Sequence, residues 1–252
     1  MTEKLTILIT GASSGIGEAL AQHYAQNGNC TLFLSGRNSE RLEAVAEQCR
    51  QKGASVYTKI IDVTDRSAMQ QWLQECEKID PLNIVFANAG VSTGEETTEN
   101  AYNTFNTNVF GVLNTIHPAI DLFKKRPNDK RIIAITASIA GYHGLPACPS
   151  YSATKACVKA YGEALRGSLH PFGIQVNVIC PGFVKSRITD KNKCPMPFFM
   201  SAEKAAQIIA ARIDKNIGLI TFPWPMRLAV WALSILPNRL SDKIYAALPH
   251  KV

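Results

Sequence analysis

Near its start the chain reads Leu5-Thr6-Ile7-Leu8-Ile9-Thr10-Gly11-Ala12-Ser13-Ser14-Gly15-Ile16-Gly17. The apolar, β-branched run is strand-length. It ends in three glycines spaced G-x-x-x-G-x-G, and a helical pattern begins at once behind them. Gly11 permits a tight turn, Gly15 lets backbone N–H groups approach a ligand, and Gly17 lets the helix pack close to the strand. A helix N-terminus directly after such a turn favours an anion, and Ser13, Ser14 and Ile16 complete the cradle.

Working outward, short β-branched runs keep alternating with longer helical patterns. Leu5–Thr10 precedes Gly15–Asn27, Thr31–Ser35 precedes Glu40–Lys52, Ser55–Ile61 precedes Asp65–Lys78, and Asn83–Ala87 precedes a helix over about Asn100–Lys125. Arg131–Thr136, a helix near Tyr151–Phe172, Ile174–Cys180, Ala202–Asn216 and a last strand around Leu219–Phe222 continue the series. Such repetition needs right-handed crossovers and predicts an α/β fold, a single-domain, Rossmann-like, doubly wound parallel sheet flanked by helices. No linker or repeat divides residues 1–252. The segments 183–200 and 222–252 are read as a substrate lid and a C-terminal apolar piece within that domain. In a sheet of this kind ligands bind beyond the carboxyl ends of the strands, so the chemistry should sit there.

Composition narrows the function. The 252 residues carry 27 Lys+Arg against 20 Asp+Glu, a formal charge of +7, and 46% are hydrophobic, which excludes disordered and fibrous classes. The cations are interleaved with acids and form no stripe with stacking aromatics, so nucleic-acid binding is not expected. Lys124-Lys125-Arg126 reads as a solvated helix end, and Lys185, Arg187, Lys191 and Lys193 around Asp190 read as a solvated loop. Seven cysteines, irregularly spaced and without a Cys-x-x-Cys pair, read as reduced thiols. With no signal-peptide core at the N-terminus, a cytoplasmic protein is expected. His23, His117, His170 and His250 share no ligand spacing, and no metal site is expected.

The strand ends carry more. Tyr151-Ser152-Ala153-Thr154-Lys155 follows Ser138 by thirteen residues, and Pro181-Gly182-Phe183-Val184-Lys185-Ser186 follows the sixth strand. With the glycine loop, these motifs resemble those of the short-chain dehydrogenase/reductase family, in the family's order from Thr10 to Ser186. The resemblance implies that Asp62 and Val63 meet an adenine and that Asn88-Ala89-Gly90 closes the fourth strand beside the cofactor. Ala87 stands where the family usually has a first Asn. It also implies that Asn108 is the family's catalytic Asn, holding a water that relays protons to Lys155, that Pro181, Gly182, Val184 and Ser186 meet the nicotinamide, and that the chain forms a homodimer or homotetramer through Val109–Lys125 and Tyr151–Phe172.

The second strand ends Leu34-Ser35-Gly36-Arg37, with no carboxylate to accept bonds from a ribose 2′-OH. A guanidinium there can fork onto a 2′-phosphate, so the expected cofactor is NADP(H). Hydride transfer to a ketone needs a proton at the oxygen, and Tyr151 is the expected acid/base. A free phenol has pKa about 10, and bringing it near 7 needs about 3 units, roughly 4 kcal/mol. Lys155, one helical turn away, is expected to supply that preference. Ser138 would bond the substrate oxygen.

His143, on the loop between Ser138 and Tyr151, and Phe198 and Phe199, in the apolar stretch Pro195–Met200, are expected substrate contacts. The run Pro225–Pro237 is too short to span a bilayer. It is read as a helix packed on the core or on a partner subunit, a lid, or a peripheral membrane contact with Trp224 and Arg227 at the headgroups. The expected substrate is an apolar ketone or secondary alcohol. The alternatives are a non-catalytic dinucleotide-binding regulator and an NAD-dependent alcohol dehydrogenase of the same family. A sugar-nucleotide epimerase would need a larger C-terminal domain.

Overall fold

A computed structural model describes residues 4–26, 28–127, 129–192, 195–237, 239–240 and 243. The first half runs β1 (Leu5–Thr10), α1 (Gly15–Ala25), β2 (Cys30–Gly36), α2 (Ser39–Gln51), β3 (Ser55–Ile60), α3 (Arg66–Ile79) and β4 (Ile84–Ala87). The second half runs α4 (Thr98–Phe105), α5 (Gly111–Lys124), β5 (Ile132–Thr136), α6 (Pro149–Leu169), β6 (Gln175–Pro181), α7 (Ala202–Asp214), β7 (Leu219–Phe222) and α8 (Trp224–Ile235).

The seven strands pair in parallel in the order β3-β2-β1-β4-β5-β6-β7. Strand order reverses between β1 and β4, and a doubly wound sheet opens a ligand crevice at such a point. Alternation along β1 shows why both faces are covered. Ile7 and Ile9 join Leu20, Leu42 and Ile209 on the face under α1, α2 and α7, whereas Leu8 joins Met69, Leu73, Ile116 and Val158 under α3, α5 and α6. β3, at the edge, is only partly covered.

Three expectations are corrected. The helix expected over Asn100–Lys125 is broken by a π-helical turn at Asn106–Phe110, where the Gly111 N–H reaches back to the Asn106 carbonyl. A Cβ on Gly111 would stand 2.5 Å from Val63 Cγ2, so the break lets the backbone close onto the end of β3. Arg126 is not solvated: it pairs with Glu77 at 2.7 Å and Asp129 at 2.6 Å. α8 buries none of its residues, so it does not pack into this chain's own core. Asn27, the expected end of the first helix, lies outside the described residues. No helix among the described residues is long and apolar enough to cross a membrane.

Candidate active site

The strand ends form a cleft of about 560 Å³. Behind its wall the buried Thr10 closes β1, and its hydroxyl is fully used. It donates to the Phe86 carbonyl at 3.2 Å and accepts from the N–H groups of Asn88 (3.0 Å) and Ala89 (3.1 Å). The Asn88 amide donates to the Thr10 carbonyl at 3.0 Å and accepts from the Thr136 hydroxyl at 3.3 Å, tying β1, β4 and β5 together.

The glycine loop then turns tightly. Gly11 has φ +67° and Gly15 φ +61°, conformations that side chains resist. A Cβ on Gly11 would lie 2.8 Å from Ala89 Cα, and one on Gly15 2.9 Å from Ser186 Cβ. Gly17 stands behind the wall, packed on the Gly11 carbonyl, which is the close helix–strand approach expected of it. Ser14, the N-cap of α1, makes no side-chain capping bond. Ser13, Ser14, Gly15 and Ile16 all face the cleft.

Beyond the loop, the end of β2 carries Arg37, whose guanidinium lies 3.4 Å from Asp62. Burial raises the Asp62 carboxyl, but bonds from the Thr64 backbone and hydroxyl, with the Arg37 charge, outweigh it and hold the group below the usual range. Arg41 was not picked out from the sequence. It lies on the first turn of α2, lines the same wall as Arg37 and Asn38, and keeps its Nε enclosed without a hydrogen-bond partner. Its four-residue spacing from Arg37 was the available signal. Arg37, Arg41, Lys155 and Arg187 line the cleft against a single acid, Asp62.

Ser138, Tyr151 and Lys155 line the opposite end. β5 delivers Ser138, and α6 presents Tyr151 and Lys155 one turn apart. The Ser138 side chain accepts from Ala140 N–H at 3.1 Å, and its hydroxyl favours the charged form of the Tyr151 phenol. The Lys155 ammonium donates to the Thr136 carbonyl at 2.9 Å and lies 5.7 Å from the Tyr151 ring centroid. The electrostatics differ from the expectation. Burial pushes the phenol up to about 12, with the Ser138 hydroxyl working against it, and burial pushes Lys155 down to about 8. Desolvation drives each group toward its neutral form, and this outweighs any mutual stabilisation in the chain alone. Beneath them the Cys180 thiol is pushed up to about 12, chiefly by burial, and stays protonated.

Asn108, fully buried at the π-helical turn, does not reach the cleft wall. Its Oδ1 accepts from Val91 N–H at 2.8 Å, and its Nδ2 donates to the Val91 carbonyl at 2.9 Å and the Thr154 hydroxyl at 3.1 Å. Gly90 is the spacer: a Cβ there would lie 3.2 Å from Asn108 Oδ1 and 3.3 Å from Lys155 Nζ.

Two more supports escaped the sequence reading. Cys148, the N-cap of α6, makes no side-chain capping bond to its helix. Glu96 supplies one instead, accepting from Ser150 N–H at 2.9 Å and Ser150 Oγ at 3.0 Å. Nothing in the sequence signals a contact across 54 residues. Thr189 staples the loop after Pro181-Gly182, accepting from Ser186 N–H at 2.9 Å and donating to the Val184 carbonyl at 2.9 Å. Asp62, Val63, Asn88, Ala89, Pro181, Gly182, Val184 and Ser186 line the cleft, whereas His143, Phe198 and Phe199 do not. Lys185 is paired with Asp190 at 2.5 Å, and Lys193 lies outside the described residues. No group of metal-binding side chains occurs among the described residues.

A doubly wound parallel sheet with a glycine loop after β1, and with serine, tyrosine and lysine around the end of β5, defines a Rossmann-like protein of the short-chain type. The family model described as short chain dehydrogenase matches residues 5–195, and the chain belongs to that family of oxidoreductases. It is 32% identical over 242 residues to an uncharacterized oxidoreductase of Myxococcus xanthus, with 94% of each chain covered. It is 34% identical over 192 residues to a 3-ketodihydrosphingosine reductase of Bacteroides thetaiotaomicron, covering 73% of this chain and 65% of that one. Among solved structures, a short-chain dehydrogenase from Sphingobium yanoikuyae in complex with NADPH superposes with TM-score 0.81 at 24% identity, covering 97% and 96%. One from Burkholderia phymatum in complex with NAD gives 0.82 at 22%, covering 96% and 95%.

Proposed function

We propose that the protein is an NADP(H)-dependent oxidoreductase acting on a ketone or secondary alcohol of an apolar, acyl-chain-bearing molecule. The observation that carries this reading is a single cleft with the Ser138–Tyr151–Lys155 group at one end and Arg37 with Arg41, without a β2 carboxylate, at the other. The residues present fit a dinucleotide: a Cβ at Gly11 or Gly15 would collide within the cradle, and the enclosed Arg41 Nε lacks an acceptor. The Gly11–Gly17 loop would hold the pyrophosphate, and Arg37 and Arg41 the 2′-phosphate.

The bound nicotinamide supplies or accepts the hydride. Tyr151, neutral at pH 7, donates its proton to the developing alkoxide, and Ser138 fixes the substrate oxygen beside the phenol. Lys155, charged below about pH 8, stabilises the phenolate left behind. Neighbouring folds bind either dinucleotide, so the preference rests on the arginines. The apolar substrate rests on the likeness to a 3-ketodihydrosphingosine reductase.

Fluorescence titration tests the cofactor. NADPH should bind about tenfold or more tightly than NADH, and Arg37→Ala and Arg41→Ala should each weaken NADPH about tenfold, the worth of one charge-assisted bond, while leaving NADH unchanged. Tighter NADH binding would turn the assignment to alcohol oxidation with NAD. Binding of neither would overturn the dinucleotide reading altogether, whereas binding without turnover of any ketone or alcohol would favour the non-catalytic regulator.

A further inference from the structure

Helix α8 carries large apolar side chains at 224, 228, 231 and 235, an i, i+4, i+7, i+11 series along one face. That face looks into solvent: Trp224 is 74% exposed, Leu228 55%, Trp231 53% and Ile235 63%. Helix α3, by contrast, turns Met69, Trp72, Leu73 and Cys76 into the core. The opposite face of α8, at Met226, Val230 and Leu233, is half-buried. Met226 Sδ lies 3.0 Å from the place of a Cβ on Gly182, so α8 is rooted on the rim of the cleft.

Arg227 on the helix, and Arg239 and Lys243 beyond it, are exposed. From Trp224 to Lys243 the sequence holds one acid, Asp242, which lies outside the described residues.

We propose that α8 is an interfacial helix that seats the rim of the cleft on a bilayer containing anionic lipid. Tryptophans at the boundary, aliphatics below and arginines at the headgroups are the side chains such a surface selects. At about 1.5 Å per residue the helix is about 18 Å long and lies in the interface without crossing it.

A second copy of the chain fits less well. The stripe exposes on the order of 500 Å², short of the about 800 Å² per partner of a stable interface. Two-fold pairing would also set this cationic patch against itself. A lid fits less well too, because the stripe faces away from the residue that touches the cleft. The consequence, which rests on the apolar-substrate reading above, is that an acyl-chain ketone enters from the membrane.

The test uses the full chain, with vesicles of phosphatidylcholine alone or mixed with phosphatidylglycerol, read by co-sedimentation and tryptophan emission. Of the three tryptophans Trp72 is buried, so a blue shift reports Trp224 and Trp231. Binding should be about tenfold tighter to the anionic vesicles, should weaken with salt, and should fall about a hundredfold in the Leu228→Glu/Ile235→Glu double variant, which keeps both reporters. NADPH affinity should be unchanged in that variant.

Absence of binding to the anionic vesicles, equal binding to the neutral ones, or a dimer that the double variant dissociates would each overturn the proposal. Vesicle binding without NADPH binding or turnover would overturn the cofactor reading alone.

Discussion

Two helices contribute first-turn residues to the same cleft, Gly15 of α1 and Tyr151 of α6, and their N-termini are completed in opposite ways. Neither N-cap side chain, Ser14 for α1 or Cys148 for α6, caps its helix. At α6 the chain provides its own anion: both oxygens of Glu96 bond Ser150. At α1 the first-turn carboxylate, Glu18, is raised above its usual pKa range by burial and by Glu203, against an opposing contribution from the Gly15 backbone. One helix end is completed in the free protein, and the other favours an anion brought by a ligand. The contrast separates a helix built to be still from a helix built to bind.

The largest effect should come from the still helix. Tyr151→Phe removes the proposed proton donor while leaving α1 intact, so kcat should fall by about 10³-fold or more with NADPH affinity unchanged. Retention of more than a few per cent of kcat would remove Tyr151 from the chemistry.

Next comes Lys155→Met. A lysine at about 8 in the folded chain and about 10.4 unfolded binds fewer protons when folded, so its burial is unfavourable below pH 8 and the penalty disappears above 10.4. The penalty is about 3 kcal/mol. The substitution also deletes the bond to the Thr136 carbonyl, worth about 1 kcal/mol. Urea unfolding at pH 6.5 should therefore show a net gain of about 2 kcal/mol, lost by pH 10.5, in an inactive protein. A variant less stable than the parent at pH 6.5 would contradict the sign.

Glu96→Gln should act least, destabilising by about 1 kcal/mol through the weakened cap. Removal of an anion beside residue 150 should also favour the phenolate at 151 and move the pH profile of kcat/KM to lower pH. A loss of stability with an unmoved profile would reduce Glu96 to a structural cap.

The sequence made the binding side of this contrast readable. A glycine loop is local, and a strand buried on both faces announces itself as an unbroken apolar run such as Ile7-Leu8-Ile9. Tyr151 and Lys155 were readable because a helical turn is also local. What escaped is what the fold brings together across distance: Glu96 on Ser150, the enclosed Nε of Arg41, and the Thr189 staple. The π-helical turn at Asn108 escaped because its cause is a close approach between Gly111 and Val63, which no periodicity records. The phenol was misjudged for a related reason. Spacing places an ammonium nearby, but only the folded environment reveals how much desolvation opposes it.

The chain of bonds from Thr10 through Asn88 and Thr136 to Lys155 leaves no seam between the glycine turn and the lysine one helical turn from Tyr151. Arg37 and Arg41 hang outside that chain, at the far end of β2. On the proposed NADP(H) reading, choice of dinucleotide is a modular trait, open to exchange by a few surface substitutions, whereas changes at Thr10, Asn88 or Thr136 reach residues at both ends of the cleft at once. Engineering that seeks a new cofactor should begin at residues 37–41 and leave the strand ends alone.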